Sequence, residues 1–283
     1  MEEGLVSIVV PTKNEEKRLV KLFDSLLTQS YKKYEVIIND DLGTSDKTAE
    51  VVKRYQKRFK IKYIRKNKGM AHGRKLGAKE ARGEYLFHID ADMTLSPRVI
   101  EACVDEMRGG NDGCVVPEIS IGQGYWAAVK SFEKSLYVGD EMMSSARFFR
   151  KRVYDAVGGH NEKMVLSEDK DLHLRIKKTG FKIVHIDEPI YHHEGSLNLW
   201  KDFKKKFFYG RTAHVFIKDH PDHSVKQANL IFRPAYFRNW KKLVMHPIMA
   251  LSMFFMKGIE MFAAALGVLS TKLPIPVLDP WKK

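Results

Sequence analysis

The pattern of apolar and polar positions in the first hundred residues predicts strands and helices in alternation. Short apolar runs, rich in β-branched side chains, predict strands at residues 5–10, 34–38, 61–64 and 85–89. Apolar residues at helical spacing predict helices between them, at 19–27, 48–59 and 70–81. This alternation is typical of an α/β fold with a doubly wound, mostly parallel sheet and flanking helices.

Two helix starts are predicted from capping signals. Thr12 and Glu15 have the spacing of a capping box, in which Thr12 caps the first helix and Glu15 reaches back. Ser96 and Pro97 stand in the order of a helix cap and a first helical residue. After residue 112 the pattern is less regular, with short strands predicted at 114–116, 146–149 and 182–186 and helices at 126–136 and 168–178.

Ligands of such sheets bind beyond the carboxyl ends of the strands, so the residues after each strand are candidates for a binding site. These are Pro11 and Lys13 with the nearby Glu15, then Asp40 and Asp41, then Asn67 and Lys68, and finally Asp90, Ala91 and Asp92. No G-x-G-x-x-G follows the first strand, which removes the main support for a dinucleotide site, and the absence of G-x-x-x-x-G-K-[ST] excludes a P-loop.

Asp90 and Asp92 predict a metal site. In an extended segment, side chains two residues apart face the same side, so the two carboxylates would converge. Such a pair would repel, and a divalent cation such as Mg²⁺ or Mn²⁺ relieves the repulsion. The alternative is that Asp92 opens a turn or caps a helix near Ser96, but the position after the fourth strand favours the metal site.

The composition is that of a folded protein in a reducing compartment. The chain has 283 residues, of which 44% are hydrophobic, and only two cysteines, Cys103 and Cys114. The acidic start of the chain lacks the basic segment of a signal peptide, so its first apolar run is predicted to be a strand.

The net charge of +14 is concentrated in one region. Residues 200–242 contain eleven basic and three acidic side chains, interleaved with aromatic residues in "DFKKKFFYGR" and "RPAYFRNWKKL". Such a surplus favours a polyanionic partner over a merely solvated surface. The apolar stretch that follows, 243–270, favours an anionic membrane over nucleic acid.

This apolar stretch is about long enough to span a bilayer. His246, Lys257 and Glu260 fall on one side of a helix, and a charged stripe favours a helix or helical pair that lies in the membrane interface. The alternative is a buried core helix of a soluble oligomer.

Four stretches jointly resemble the inverting family 2 glycosyltransferases of GT-A fold: "SIVVPTKNEE", "YEVIINDDLGTSDKT", "NKGMAHGRKLGAKEARGEYLFHIDADM" and "SEDKDLHLRI". The resemblance covers about residues 5–195. It implies that Asp40 or Asp41 contacts the base of a nucleotide sugar and that Arg74 lies near the nucleotide. It further implies that residues 90–92 form the D-x-D that holds metal and diphosphate.

The resemblance also implies that Asp169 is the catalytic base and that Arg211 closes over the diphosphate. The sequence departs from the family pattern at Leu42, which lengthens the loop by one residue and leaves open which of Asp40 and Asp41 meets the base. Lys75 stands where the family often has asparagine.

The remaining candidates have structural alternatives. Glu168 and Asp169 open a predicted helix, where acids also complement the helix dipole, but their co-occurrence with the D-x-D favours the catalytic role. His192 and His193 follow a predicted strand end, and one of them is a candidate to bind the metal or the diphosphate. We assign His193 to the metal, although a lone histidine is more often structural.

The sequence thus predicts a GT-A catalytic domain at 1–198, with a nucleotide-sugar half at 1–95 and an acceptor half at 96–198, and a membrane-associating region at 199–283. We expect metal-dependent, inverting transfer from a GDP- or UDP-linked sugar to a polyprenyl phosphate or diphosphate acceptor. The enzyme would act at the cytoplasmic membrane face, peripherally or monotopically. The alternatives are a soluble enzyme with a polysaccharide or protein acceptor and a catalytically dead binding module.

Overall fold

The computed structural model describes residues 1–228 and 233–271, so residues 229–232 and 272–283 of the predicted membrane-associating region lie outside the described residues. The chain divides into two compact units. The first comprises Met1–Glu118, Ser144–Glu162 and Glu168–His193, and the rest of the described chain forms the second.

The described residues form ten strands: β1 (Glu2–Thr12), β2 (Tyr34–Asp41), β3 (Ile61–Asn67), β4 (Gly83–His88), β5 (Met93–Leu95), β6 (Gly113–Val115), β7 (Glu118–Gln123), β8 (Phe148–Arg150), β9 (Ile183–His185) and β10 (Ile190–Ser196). The helices of the first unit are α1 (Glu16–Leu27), α2 (Thr48–Tyr55), α3 (Met70–Glu80), α4 (Val99–Arg108), α6 (Lys151–Ala156) and α7 (Glu168–Lys178). Those of the second are α5 (Tyr125–Ser135), α8 (Leu199–Thr212), α9 (His214–Asp219), α10 (Pro221–Ala228), α11 (Pro234–Arg238), α12 (Trp240–Met245) and α13 (Pro247–Ser270).

The first unit is built on a seven-stranded sheet of order β3-β2-β1-β4-β8-β6-β9. Only β8 runs antiparallel to its neighbours, so the prediction of a mostly parallel sheet is confirmed. Alternate residues of β1 enter different cores: Ile8 packs in one cluster and Val9 in the other. Burial on both faces is expected of strands that are covered by helices on each side.

The carboxyl ends of the parallel strands form one edge of this sheet. In register, Val9 lies opposite Ile37 on β2 and His88 on β4. The segments that follow these strands, which carry most of the candidate residues, therefore leave the sheet at this edge. α3 can lie close to β1 because residue 77 is glycine, where a Cβ would overlap the side chain of Val9.

Both capping predictions are wrong. α1 begins at Glu16 with Glu15 as its N-cap, and Thr12 instead donates to Asp40 on β2. The backbone N–H groups at the start of α1 are satisfied from the segment between β2 and α2. There, Thr48 accepts from Glu15 and Asp46 accepts from Glu16. Likewise α4 begins at Val99, two residues after the predicted first position.

In the second unit, α8 and α13 pack with their backbones in contact. A Cβ at Gly210 would overlap the carbonyl oxygen of Ala264, and a Cβ at Gly267 would overlap that of Phe207. An apolar cluster that includes Val129, Tyr236 and Met253 holds α5, α11 and α13 together.

Two members of the charged stripe of α13 face the protein interior, whereas His246 is exposed at the start of the helix. Lys257 and Glu260 are buried, and they pair with Glu133 and Lys130 of α5 at 2.5 and 2.7 Å. Lys206 of α8, from the predicted basic surface, lies 3.8 Å from Glu260 and lowers its pKa together with Lys130 and Lys257, although burial alone would raise it. The stripe therefore gives no evidence of a helix face turned toward headgroups, because its charges are neutralised inside the unit.

The opposite face of α13 is apolar and exposed, and the two preceding helices also carry exposed apolar side chains. These side chains, which we call the apolar face, are Phe237, Trp240, Val244, Met245, Ile248, Leu251, Phe254, Phe255, Met261, Phe262, Val268 and Leu269. By length and composition α13 could cross a membrane, and most of its apolar stretch is not buried in the structure.

Cys103 and Cys114 are both fully buried in the first unit. Burial raises the pKa of the Cys103 thiol well above its usual value.

Candidate active site

Arg74 of α3 joins residues from distant parts of the first unit. Its guanidinium binds Asp90 at 2.6 Å, Glu168 at 2.9 Å and also Asp169, and its side chain is 3% exposed. Burial alone would lower the pKa of Arg74, but Asp169, Asp90 and Glu168 outweigh this effect and raise it. A buried guanidinium of this kind requires its carboxylate partners, since an unpaired buried charge is strongly destabilising. Arg74 thus brings the D-x-D and the candidate base into one site.

Asp90 and Asp92 do not lie in extended backbone. The chain turns here, with the N–H of Met93 bonded to the carbonyl of Asp90 at 3.1 Å, so the same-side argument from the sequence is wrong. Each carboxylate has its own cationic partners. Asp90 lies between Arg74 and Arg147, at 2.6 and 3.4 Å, and Asp92 contacts a histidine. The repulsion between two like charges is therefore relieved by protein groups.

The histidine that contacts Asp92 is His192. Its Nε2 lies 3.3 Å from Asp92 and its Nδ1 lies 2.8 Å from Glu118. Burial alone would lower the pKa of His192, but the hydrogen bonds to Asp92 and Glu118 outweigh it and raise the pKa to about 9. His193, which the sequence analysis assigned to the metal, instead lies 3.0 Å from the hydroxyl of Thr94.

Glu168 and Asp169 begin α7 as predicted, yet their electrostatic environments differ. Burial and the neighbouring Asp169 raise the pKa of Glu168 to about 7. Burial would also raise the pKa of Asp169, but Arg74 outweighs it, with help from His160, and the pKa lies well below its usual range. Asp169 is the more exposed of the two, with 26% of its side chain accessible against 11% for Glu168. It is therefore an ionised carboxylate that a substrate can reach.

The structure separates the roles of Asp40 and Asp41. Asp40 is fully buried and accepts hydrogen bonds from Thr12, Thr44 and Tyr63 at 2.7–2.9 Å. Asp41 is partly exposed, and its Oδ1 lies 3.4 Å from Lys13. Asp41 therefore has the carboxylate that is more accessible to a ligand.

The extra residue in this loop is accommodated without disturbing the site. Asp41 Oδ1 accepts the N–H of Gly43, and the intervening Leu42 side chain is 55% exposed. Lys75 is also exposed and pairs with Glu162.

Other predicted donor residues lie along the same edge of the sheet. Pro11 is buried in β1, one residue before its end, and Asn67 is buried and accepts the N–H of Gly69. Lys68 is exposed, Ala91 is buried within the turn after β4, and Glu15 lies at the start of α1, where burial raises its pKa to about 7. Arg211 lies on α8 in the second unit and keeps its role only as a prediction.

A divalent cation would find two protein ligands at the D-x-D. Among the described residues no group of three His, Cys, Asp or Glu side chains could hold a metal ion. Asp92 and His192, which already face one another, fit a Mg²⁺ or Mn²⁺ site that substrate phosphates and water would complete.

Several residues of this site were not found from the sequence. Arg147 binds both Asp90 and Glu118, and the latter two are 28 positions apart, so no local motif could reveal the cluster. His160 contacts Asp169 from the turn after α6. The only signal that could have suggested it is its position directly after two glycines, in "GGHNE", a short distance before the predicted base.

Two family models and several known proteins are similar to this chain. Residues 7–158 match the family model of glycosyl transferase family 2, and residues 85–273 match that of glycosyl transferase family group 2. Chondroitin synthase of Escherichia coli is 30% identical over 198 residues, which are 66% of this chain and 28% of that enzyme. The chain thus spans under a third of this relative.

Two solved structures share the fold. Residues 1–349 of Staphylococcus aureus TarS, in complex with UDP-GlcNAc, superpose with a TM-score of 0.55 at 16% identity, covering 94% of this chain and 91% of that one. Mannosyltransferase PcManGT from Pyrobaculum calidifontis, with GDP-Man and Mn²⁺, gives 0.61 at 15% identity, covering 93% and 86%. The family model matches more than half of the chain, and the chain therefore belongs to glycosyl transferase family 2.

Proposed function

We propose that this enzyme transfers a sugar from a GDP- or UDP-linked donor to a polyprenyl phosphate or diphosphate acceptor, with inversion, at the cytoplasmic face of a membrane. The observation that carries the transfer reaction is the cluster in which Arg74 joins Asp90 to Asp169, with Asp92 and His192 beside it. It supplies groups for a diphosphate-bound cation and a carboxylate for the acceptor in one place.

In the proposed reaction, the acceptor oxygen bonds to the anomeric carbon as the bond from that carbon to the donor diphosphate breaks. The acceptor oxygen belongs to a phosphate group, and where that oxygen is protonated its proton passes to Asp169 as the nucleoside diphosphate leaves. Because Arg74 keeps the pKa of Asp169 low, this carboxylate is deprotonated throughout the neutral range. It is correspondingly a weak base, so the proton should move late, when bond formation has made the phosphate O–H of the acceptor more acidic.

The donor would be held by residues at the carboxyl edge of the sheet. We assign the contact with the base to Asp41 rather than to Asp40, because Asp40 is buried and already accepts three hydrogen bonds. The fold relatives named above bind UDP-GlcNAc and GDP-Man, and these are the first donors to try.

Asp92 and His192 would hold a Mg²⁺ or Mn²⁺ ion. When bound, such an ion stabilises the negative charge of a leaving diphosphate. Since the pKa of His192 is about 9, this side chain must give up a proton to act as a ligand.

A lipid acceptor is supported by the apolar face of the second unit. Twelve exposed apolar side chains on consecutive helices form more unburied apolar surface than single, scattered residues do. Exposed basic residues lie on the same helices, at Arg238, Lys241 and Lys242. We propose that α13 lies along the membrane surface, because a spanning α13 would have to separate Lys257 and Glu260 from their partners on α5.

A second candidate acceptor is a polysaccharide. Its support is the 30% identity to E. coli chondroitin synthase. This acceptor would leave the apolar face without a role in the reaction.

The test is transfer by the purified enzyme from UDP-GlcNAc and GDP-Man, with Mg²⁺ or Mn²⁺, to a short polyprenyl phosphate or to a chondroitin oligosaccharide. We expect a glycolipid of inverted anomeric configuration, detected by mass spectrometry and NMR. Transfer only to the oligosaccharide would favour the second candidate. A retained configuration would contradict the proposed mechanism.

A further inference from the structure

Asp169 has a second buried neighbour that the proposed mechanism does not use. The Nε2 of His160 lies 3.2 Å from Asp169 Oδ1, on the atom that also contacts Arg74. The other ring nitrogen, Nδ1, lies 2.9 Å from the hydroxyl of Tyr154. All three side chains belong to the first unit, and His160 and Tyr154 are almost fully buried.

The hydrogen-bond pattern fixes the tautomer of His160. The oxygen of Tyr154 accepts the backbone N–H of His160 at 3.2 Å, so its own O–H is available to donate to Nδ1. Burial lowers the pKa of His160 despite the nearby Asp169, and the ring is neutral at pH 7. Because the ionised carboxylate of Asp169 can only accept, the proton of the neutral ring is on Nε2, from which it is donated to Asp169.

The turn that carries His160 is tied to the helix that carries Asp169. Arg175 of α7 donates to the carbonyl oxygens of Val157 and Gly159, at 2.5 and 2.6 Å. Arg175 is itself held by Asp171, one helical turn earlier, at 2.6 Å. The distance between His160 and Asp169 is thus set by a rigid local connection.

We propose that the Tyr154–His160 pair positions Asp169 for proton transfer, by holding Oδ1 as a hydrogen-bond acceptor and leaving Oδ2 to take the proton of the acceptor substrate. Among the residues that the structure describes, none donates a hydrogen bond to Oδ2 of Asp169, because Arg74 and His160 both contact Oδ1. This inference rests on the proposed function, in which Asp169 is the base. His160 is a positioning residue, since it acts through Asp169.

The other charges near Asp169 define what should change when His160 is replaced. Arg74 and Arg147 favour the ionised form, whereas Glu168 and Asp90 disfavour it. His160 adds a hydrogen bond to the ionised form, and losing such a bond raises the pKa of a carboxyl group.

Three variants test the pair: His160→Phe removes the N–H donor, His160→Gln keeps a side-chain N–H, and Tyr154→Phe removes only the hydroxyl. Each is assayed for kcat and for the donor KM with whichever of UDP-GlcNAc and GDP-Man the wild type consumes. We expect His160→Phe to lower kcat about 10-fold or more, part of the 10²–10⁴ that a base supplies. The donor KM should stay near wild type, because His160 acts through Asp169 and not on the donor.

His160→Gln should recover much of the kcat. Equal losses of kcat in the Phe and Gln variants, or losses accompanied by a raised donor KM, would show a purely structural role and overturn the proposal. Wild-type activity in His160→Phe would overturn it as well. If His160→Phe does not fold, Tyr154→Phe carries the same comparison.

A measurement without substrate separates this inference from the proposed function. In wild-type enzyme, ¹⁵N NMR should show His160 as the Nε2–H tautomer, and Asp169→Asn should perturb its Nε2 signal. An Nδ1–H tautomer would overturn the pairing whatever the donor assays show. Failure of every donor with the expected tautomer would instead count against the proposed function.

Discussion

At the scale of single residues, His192 and His193 are adjacent but have different neighbours, which makes them a matched pair. His192 contacts Asp92 whereas His193 contacts Thr94. We expect His192→Ala to lower the affinity for Mn²⁺, measured by the metal dependence of transfer, by about 10–100-fold. His193→Ala should bind Mn²⁺ about as tightly as the wild type does. A larger loss of affinity in His193→Ala than in His192→Ala would assign the metal site to His193.

Asp92→Asn tests the same site from the other side. The substitution keeps the size of the side chain but removes the negative charge that a cation requires. We expect loss of metal-dependent transfer in a variant that still folds, as shown by a cooperative thermal unfolding transition. Full activity of this variant, or of the wild type in excess chelator, would contradict a metal at the D-x-D.

His88 offers a test of pH dependence that is independent of catalysis. Its ring is fully buried, burial holds its pKa well below the usual value, and both ring nitrogens lack hydrogen-bond partners among the described residues. The unfolded state therefore binds a proton below pH 6.5 that the folded state does not. This residue's contribution to stability is present above pH 6.5 and is lost as the pH falls.

We expect the unfolding free energy to fall less between pH 7 and pH 5 in His88→Phe than in the wild type, by about 2 kcal/mol. Denaturant titrations at both pH values provide the measurement. The difference between the proteins is needed because Glu15 and Glu168, whose pKa values are raised to about 7, titrate in the opposite sense. An identical pH dependence in both proteins would show that the buried ring is not neutral.

At the scale of elements, the contact between α8 and α13 is sensitive to a single methyl group. Gly210→Ala and Gly267→Ala would each place a Cβ against backbone atoms of the other helix. We expect a loss of about 1–3 kcal/mol in unfolding free energy. Gly258→Ala, on the same α13 but in open space, is the control, and it should stabilise by about 0.4–1 kcal/mol. Equal effects at all three positions would show that the helices do not pack this closely.

The sequence predicts elements best where the pattern is local and worst where partners are distant. The parallel strands and α7 follow from hydrophobic periodicity, and α7 has the predicted bounds. The prediction that Thr12 caps α1 is wrong because Thr12 binds Asp40, 28 positions away. Asp46 instead accepts a backbone N–H group at the start of the helix. The prediction for Lys257 failed for the same reason, because its partner Glu133 lies on another helix that is distant in the sequence. Within the site, motifs predict the carboxylates and Arg74, but they do not predict Arg147 and His160, which contact those carboxylates from elsewhere in the chain.

At the scale of the whole molecule, the apolar face predicts membrane binding with two components. Basic side chains near an anionic surface contribute about 1 kcal/mol each, which salt screens, whereas burial of apolar side chains is not screened. We expect binding to phosphatidylglycerol liposomes, measured by sedimentation, that weakens in high salt without vanishing.

The triple variant Ile248→Ser, Leu251→Ser, Phe255→Ser should abolish the salt-resistant part of this binding. Val138→Ser replaces a similarly exposed apolar residue elsewhere in the second unit and should bind as the wild type does. If the wild-type enzyme does not bind anionic liposomes at low salt, the membrane proposal is contradicted. The apolar face would then be expected to pack against a second copy of the protein.

The burial of Cys103 and Cys114 makes this enzyme suited to site-specific labelling. The chain has two cysteines, both are inaccessible, and a thiol with a raised pKa reacts slowly with alkylating reagents. A cysteine introduced at an exposed position such as Leu251 should therefore be the only thiol that a fluorophore modifies in the folded protein. Quenchers placed at known depths in a bilayer would then report how deeply that one position enters the lipid, without any need to remove the native cysteines.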